Sequence, residues 1–178
     1  MKIIGVEGPD FSGKTKLSTL ISEMTGYPRI KFPNTRLETG KRLYEIINRK
    51  KQFDAEEFQI LQNSNKKYTI IDLDPDGTYI FDRYTLSEII YGKIKGLSDE
   101  YVRDLASKLP EPDFTIILHG NCFGIDNDIF SQDQTLIREM YYSEGFKIPS
   151  EKRLFLENNR RPEELVETVL KTLKGVGL

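Results

Sequence analysis

The chain of 178 residues has one cysteine, one histidine, no tryptophan and almost no charge excess, with 26 basic against 28 acidic side chains. The lone cysteine, Cys122, excludes an intrachain disulfide framework and any multi-cysteine metal site, and it reads as an ordinary buried thiol. The lone histidine, His119, ends an apolar stretch, where a structural imidazole is the better reading than a general base. A net charge of -2 creates no global field favouring a nucleic acid polymer or a membrane surface. Any phosphate site must therefore be assembled from local lysines and arginines. No apolar run approaches a membrane span, and the sequence opens directly on a strand pattern, so a soluble, cytoplasmic protein is expected. Repeats, linkers and low-complexity segments are also missing, and residues 1–178 are expected to form a single domain.

What is present begins at Gly8. Gly8-Pro9-Asp10-Phe11-Ser12-Gly13-Lys14-Thr15 fits G-x-x-x-x-G-K-[ST], which arises by chance in about one chain in a hundred of this length. Two glycines let successive N–H groups wrap around an anion. Lys14 supplies a point charge for the β- and γ-phosphates, and the Thr15 hydroxyl is placed to ligate Mg²⁺. Lys2-Ile3-Ile4-Gly5-Val6 before the loop reads as a buried parallel strand. Beyond it, Leu17, Leu20, Ile21 and Met24 recur at helical spacing, so the loop ends at a helix N-terminus whose dipole favours anions. ATP is expected on Gly8 to Thr15 together with Lys16.

Further along, Gly26 sits where the first helix should stop, and Arg29 to Phe32 reads as a short strand closed by Pro33. Leu43, Ile46 and Ile47 mark a helix face, with Arg42, Arg49, Lys50 and Lys51 as a solvated basic stretch. Asp54 caps the next helix, with Glu57 three residues on. Tyr68 to Ile71 is β-prone but is also positioned to prolong that helix. Thr78 to Phe81 and Phe114 to Leu118 are apolar strands, and Arg153 to Leu156 is the last. Helices are expected from Leu86 to about Lys95 and from Ser98 to Lys108. Another is opened by a capping box at Ser131–Gln134 and ended by Gly145, and a final one starts at Pro162 with Gly175 after it. Strands alternating with helices imply a parallel sheet covered on both faces.

The second informative stretch is Phe81-Asp82-Arg83-Tyr84. In a parallel sheet the carboxyl ends of neighbouring strands face one crevice. An aspartate there can hold Mg²⁺ directly or through water, and Arg83 can clamp a second phosphate; a salt bridge or helix cap is the structural alternative. Glu7 leaves two readings open: it orients Mg²⁺ water or Lys14, or it is a buried carboxylate held by its neighbours. Tyr141-Tyr142 reads as core and interface.

Taken together, Gly8 to Thr15, Phe32-Pro33, Thr39-Gly40-Lys41, Asp82-Arg83-Tyr84 with Ser87 and Tyr91, Pro110-Glu111-Pro112-Asp113 and Arg161-Pro162-Glu163-Glu164 resemble thymidylate kinases over nearly the whole chain. The resemblance implies a P-loop NTPase fold, three-layer α/β/α with a five-stranded parallel sheet, and a homodimer packed through helices. It implies transfer of the ATP γ-phosphate, with Mg²⁺, to dTMP or a related pyrimidine deoxynucleoside monophosphate. Lys14, Asp10 and Arg83 would be catalytic, and Thr15 and Asp82 would serve the metal. Asp10, Phe32, Arg36, Gln62, Lys66, Arg83, Ser87 and Tyr91 would bind the monophosphate.

Three departures from the family pattern stand out. The arginine usual two residues after Phe-Pro is Thr35 here, with Arg36 next door. Gln62 occupies the position where relatives stack a phenylalanine on the base, and Lys66 that of the base-contacting arginine. Neither Asp10-Phe11-Ser12 nor the short acidic lid at about residues 120–130 carries the expected cation, leaving Arg138, Arg153 and Arg160 as candidates. The rival readings are a deoxynucleoside kinase with Glu7 or a neighbouring carboxylate as base, and a nucleotide-binding module weakened in catalysis.

Overall fold

The computed structural model describes residues 1–48, 53–120 and 133–178. The basic stretch at 49–51, the lid expected at about 120–130 beyond Gly120, and Ser131 and Gln132 lie outside the described residues. Five parallel strands form one sheet in the order β2-β3-β1-β4-β5: β1 (Lys2–Glu7), β2 (Arg29–Lys31), β3 (Thr78–Asp82), β4 (Phe114–His119) and β5 (Arg153–Glu157). The three most apolar strands, β1, β3 and β4, take the middle, as strands covered on both faces must. Register pairs Ile4 with both Ile80 and Phe114, so Glu7, Asp82 and His119 end on the same edge of the sheet.

The connections are α1 (Lys14–Thr25), α2 (Glu38–Ile47), α3 (Ala55–Ile71), α4 (Thr85–Ile94), α5 (Asp99–Ser107), α6 (Gln134–Gly145) and α7 (Pro162–Gly175). Ile116 and Ile117 are neighbours on β4 and face opposite ways. Ile116 joins Ile4, Val6, Leu17, Ile21, Val166 and Val169 beneath α1 and α7. Ile117 joins Leu43, Phe58, Ile90, Ile137 and Tyr141 beneath α2, α3, α4 and α6. The result is the expected three-layer α/β/α arrangement. Each such buried aliphatic side chain contributes about 1.5–3 kcal/mol.

Most boundaries fall where the pattern puts them. Gly26 closes α1 in the left-handed region at φ +76°, Asp54 caps α3 by accepting from the Glu56 and Glu57 amides, and Pro162 opens α7. Tyr68 to Ile71 extends α3, because Thr69 is buried there and its hydroxyl accepts from Asn34 Nδ2 at 3.1 Å. Asp133 precedes α6 and makes no side-chain cap bond, while the Ser131 end of the expected capping box lies outside the described residues. Gly145 ends α6 without a left-handed turn; its missing Cβ would lie 2.6 Å from Ile117 Cδ1 and 2.8 Å from the Phe155 ring, so the glycine serves close packing of α6 on the sheet.

Candidate active site

The turn from β1 into α1 requires both of its glycines. Gly8 has φ +146°, and a Cβ there would meet the Leu118 carbonyl at 2.6 Å. Gly13 precedes α1 at φ +87°, the left-handed region. Between them Phe11 points outward with φ +58°, while the Ser12 side chain is buried beneath the loop. Lys14 is buried as well and donates to the Pro9 carbonyl at 2.5 Å, so the loop closes over its own ammonium. Burial pushes that ammonium down to about 7, with Arg83 adding to the effect and Asp10 opposing it. Thr15 and Lys16 are exposed on the first turn of α1.

Across the crevice, β3 ends at Asp82 and the chain turns sharply. Arg83 has φ +68°, a conformation that costs an arginine about 1–2 kcal/mol. Its amide donates to the Val6 carbonyl at 3.0 Å, and the next helix is tied down by Glu7. One Glu7 oxygen accepts from the Tyr84 amide at 2.8 Å and the Ser87 amide at 3.2 Å, and the other accepts from the Ser87 hydroxyl. Glu7 is thus the N-terminal cap of α4, delivered from a different strand. Burial, the largest influence, raises its carboxyl above the usual range. Of the two readings left open for Glu7, the structure supports the carboxylate held by neighbours.

Three of the expected residues, Asp10, Ser87 and Tyr91, converge on the guanidinium of a fourth, Arg83. Arg83 forms an ion pair with Asp10 through Nη2, and through Nη1 it donates to the hydroxyls of Tyr91 and Tyr141, each at 3.1 Å, and of Ser87 at 3.5 Å. Tyr91 in turn donates to Asp10 at 2.9 Å. Burial would raise the Asp10 carboxyl, but Arg83 and Lys14 outweigh it and hold it below the ordinary range. Tyr141 was read as core, and its ring is fully buried; what the sequence pattern did not show is its hydroxyl, which reaches both Arg83 and Ser87. Helix periodicity finds a buried tyrosine but not the polar atom it must satisfy.

A cleft of about 890 Å³ runs from Asp10 and Arg83 between β2, α2 and α3. Phe32 lies in its floor, edge-on to Phe81 at 5.3 Å. Gln62 and Lys66 project from α3 into the cleft wall, and Arg36 stands exposed at its rim. The Lys66 ammonium is buried and bound to the equally buried Glu88 at 2.9 Å, which fixes its direction. Residues 34–36 are bolted to α3: the Asn34 amide donates to Asn65 Oδ1 at 2.8 Å, and Asn65 Nδ2 donates back to the Asn34 carbonyl at 3.1 Å. Gly40 explains itself here, since a Cβ would lie 1.9 Å from the Asn34 oxygen.

Among the described residues no group of three or more His, Cys, Asp or Glu side chains could hold a metal alone. Thr15 and Asp82 nevertheless meet at the mouth of the loop, the Thr15 hydroxyl donating to Asp82 Oδ2 at 3.0 Å. A hydroxyl and a carboxylate are hard oxygen donors, and they fit a Mg²⁺ ion held chiefly by nucleotide phosphates and water. Arg29 also reaches this corner, through an ion pair with the same Asp82 oxygen at 2.5 Å. Only the alternation along β2, which puts Arg29 and Lys31 on one face, could have signalled it. Of the candidate replacement cations, Arg153 is engaged elsewhere: its Nη1 donates to the Phe146 carbonyl at 2.5 Å and to that of Ile148, and its guanidinium stacks 4.7 Å from the Phe146 ring. Arg138 and Arg160 are exposed, on α6 and just ahead of α7.

Comparison with known proteins agrees with this geometry. A fission yeast (Schizosaccharomyces pombe) thymidylate kinase is 28% identical over 127 residues, covering 66% of this chain and 60% of its own length. The matched region thus spans about three-fifths of that relative. The thymidylate kinase of Candida albicans superposes with a TM-score of 0.78 at 19% identity, over 98% of this chain and 91% of the other. That of Ehrlichia chaffeensis gives 0.75 at 18% identity, over 97% and 98%. At such identities the superpositions establish the shared fold. The sequence profile described as Thymidylate kinase matches residues 6–122, from the end of β1 through the Gly8–Thr15 loop, the cleft and Asp82-Arg83-Tyr84, and the chain belongs to that family.

Proposed function

We propose that the protein is a nucleoside monophosphate kinase that moves the γ-phosphoryl group of ATP to dTMP or a related pyrimidine deoxynucleotide. The observation that carries this reading is the position of Arg83. Its guanidinium stands between the phosphate loop and a cleft of about 890 Å³, room for a second nucleotide. ATP would lie on Gly8 to Lys16, with the acceptor phosphate at Arg83 and the sugar beside Asp10 and Tyr91. The base would reach Phe32, Gln62 and Lys66, with Arg36 at the rim. Mg²⁺, held by Thr15 with Asp82 behind it, would neutralise charge on the donor phosphates. The chain's own part is positioning: Tyr91, Tyr141 and Ser87 hold the Arg83 guanidinium, and Lys14 meets the phosphate oxygens.

A hydroxyl acceptor would need a general base. Glu7 is engaged in capping α4 and is buried, which disfavours the deoxynucleoside kinase reading. We also infer a homodimer formed through α3, whose exposed Ile60, Tyr68 and Ile71 lie along one face of the helix. A coupled ADP-release assay over thymidine and a panel of pyrimidine monophosphates tests the function. Turnover of dTMP or a close relative is expected; turnover of the unphosphorylated nucleoside alone, or of nothing, would refute it.

A further inference from the structure

Arg29 lines the cleft but has no part in the contacts proposed above for either nucleotide. It stands on β2, and its side chain is 23% exposed at the cleft wall. Two anchors fix it: Nε donates to Ser18 Oγ on α1 at 2.7 Å, and Nη2 pairs with Asp82 Oδ2 at 2.5 Å. That oxygen is the one that also accepts from Thr15 at 3.0 Å. The carboxylate that would serve the metal is thus already matched to a cation of the protein's own, and its metal-facing oxygen has two hydrogen-bond donors. Asp82 itself is only 1% exposed, so solvent screens the pair little.

We propose that Arg29 is a positioning residue that makes the Thr15–Asp82 corner conditional: it rejects a free divalent cation and accepts one only when nucleotide phosphates bring it. A bare Mg²⁺ ion approaching this corner meets one neutralised carboxylate, one hydroxyl and a guanidinium bound to the shared oxygen. That set has no net negative charge to offset the loss of the ion's water. Phosphates on the loop change the balance, since they supply the charge and most of the ligands. Arg29 also holds Asp82 in the rotamer that receives the Thr15 hydroxyl, which leaves a lone pair of the Thr15 oxygen free for the ion. The inference rests on the reading of Thr15 and Asp82 as the metal corner, and its test reads no turnover, so it can fail independently of the kinase assignment.

The experiment titrates Mn²⁺ into the nucleotide-free protein and follows the free ion by electron paramagnetic resonance. Wild type should bind weakly, and Arg29→Met should gain one site about tenfold tighter or more. Adding Asp82→Asn to Arg29→Met should abolish the gain, and Arg29→Lys should restore weak binding. With ADP present, wild type and Arg29→Met should each take up one ion. Ser18→Ala keeps both charges and removes only the Nε anchor, so it should tighten Mn²⁺ in the same direction by a smaller factor, about threefold. It also provides the test if Arg29→Met does not fold. Unchanged Mn²⁺ affinity in Arg29→Met or in Ser18→Ala, or a gained site that survives Asp82→Asn, would overturn the proposal.

Discussion

At the scale of single residues, the site is a set of side chains held in place by second partners. Arg83 shows this most plainly, with Asp10, Tyr91, Tyr141 and Ser87 all on one guanidinium. Arg83→Ala should lower kcat by about 10²-fold or more, because positioned cations act mainly on the transition state. Tyr141→Phe removes one hydroxyl from the same group, and a loss of about 1 kcal/mol, or fivefold in kcat/KM, is expected. Lys14 gives a prediction about protons. Its ammonium lies at about 7 in the nucleotide-free protein, depressed chiefly by burial, so by pH 8 it is mostly neutral. Phosphate oxygens favour the charged form, and ATP binding at pH 8 should therefore take up a proton. Calorimetry in buffers of different ionisation enthalpy reads this directly; proton release would contradict it. The turn that needs Gly8 and Gly13 was legible from spacing alone. Arg29 and the Tyr141 hydroxyl were not, because each takes its meaning from a partner brought near by the sheet (Asp82 and Arg83), and no local pattern encodes that.

At the scale of elements, sequence reading succeeded where local rules decide and slipped where packing does. Asp54, Gly26 and Pro162 mark helix ends by their own chemistry, and each stands where it was expected. The sequence pattern makes Gly145 a stop signal, yet in the fold it is a contact between α6, Ile117 and Phe155. Its purpose lies in the neighbouring strands, which are far away in sequence. The ambiguous Tyr68 to Ile71 became helix because Thr69 accepts from Asn34 Nδ2 and Ile70 packs inward, a tertiary preference stronger than β propensity. The N-terminus of α4 depends on Glu7. Glu7→Ala leaves the Tyr84 and Ser87 amides buried without an acceptor, and a loss of about 2–3 kcal/mol in urea unfolding is expected. Glu7→Gln keeps an acceptor oxygen and should recover most of that. Its raised carboxyl carries a sign as well: this group lowers stability as pH rises above its unfolded value near 4.5, so Glu7→Gln should flatten that part of the pH profile.

At the scale of the whole molecule, one carboxylate joins three helices. Glu144 on α6 accepts from Lys93 on α4 at 2.7 Å, from Arg103 on α5 and from Lys147 at 2.9 Å. Burial alone would raise it, but the hydrogen bonds from Lys93, Lys147 and Arg103 outweigh this and hold it at about 2. Its contribution to stability is therefore complete above about pH 4.5 and lost as pH falls towards 2. Glu144→Ala should cost about 2 kcal/mol at pH 7, and wild type and variant should converge in acid. The bolt between Asn65 and Asn34 has a different reach. Because α3 carries Gln62 and Lys66 while the strap of residues 34–36 carries Arg36, the two flanks of the cleft form one jaw. The α3 wall and the opposite rim therefore move as a single mechanical part, so an engineer who shifts one shifts the other.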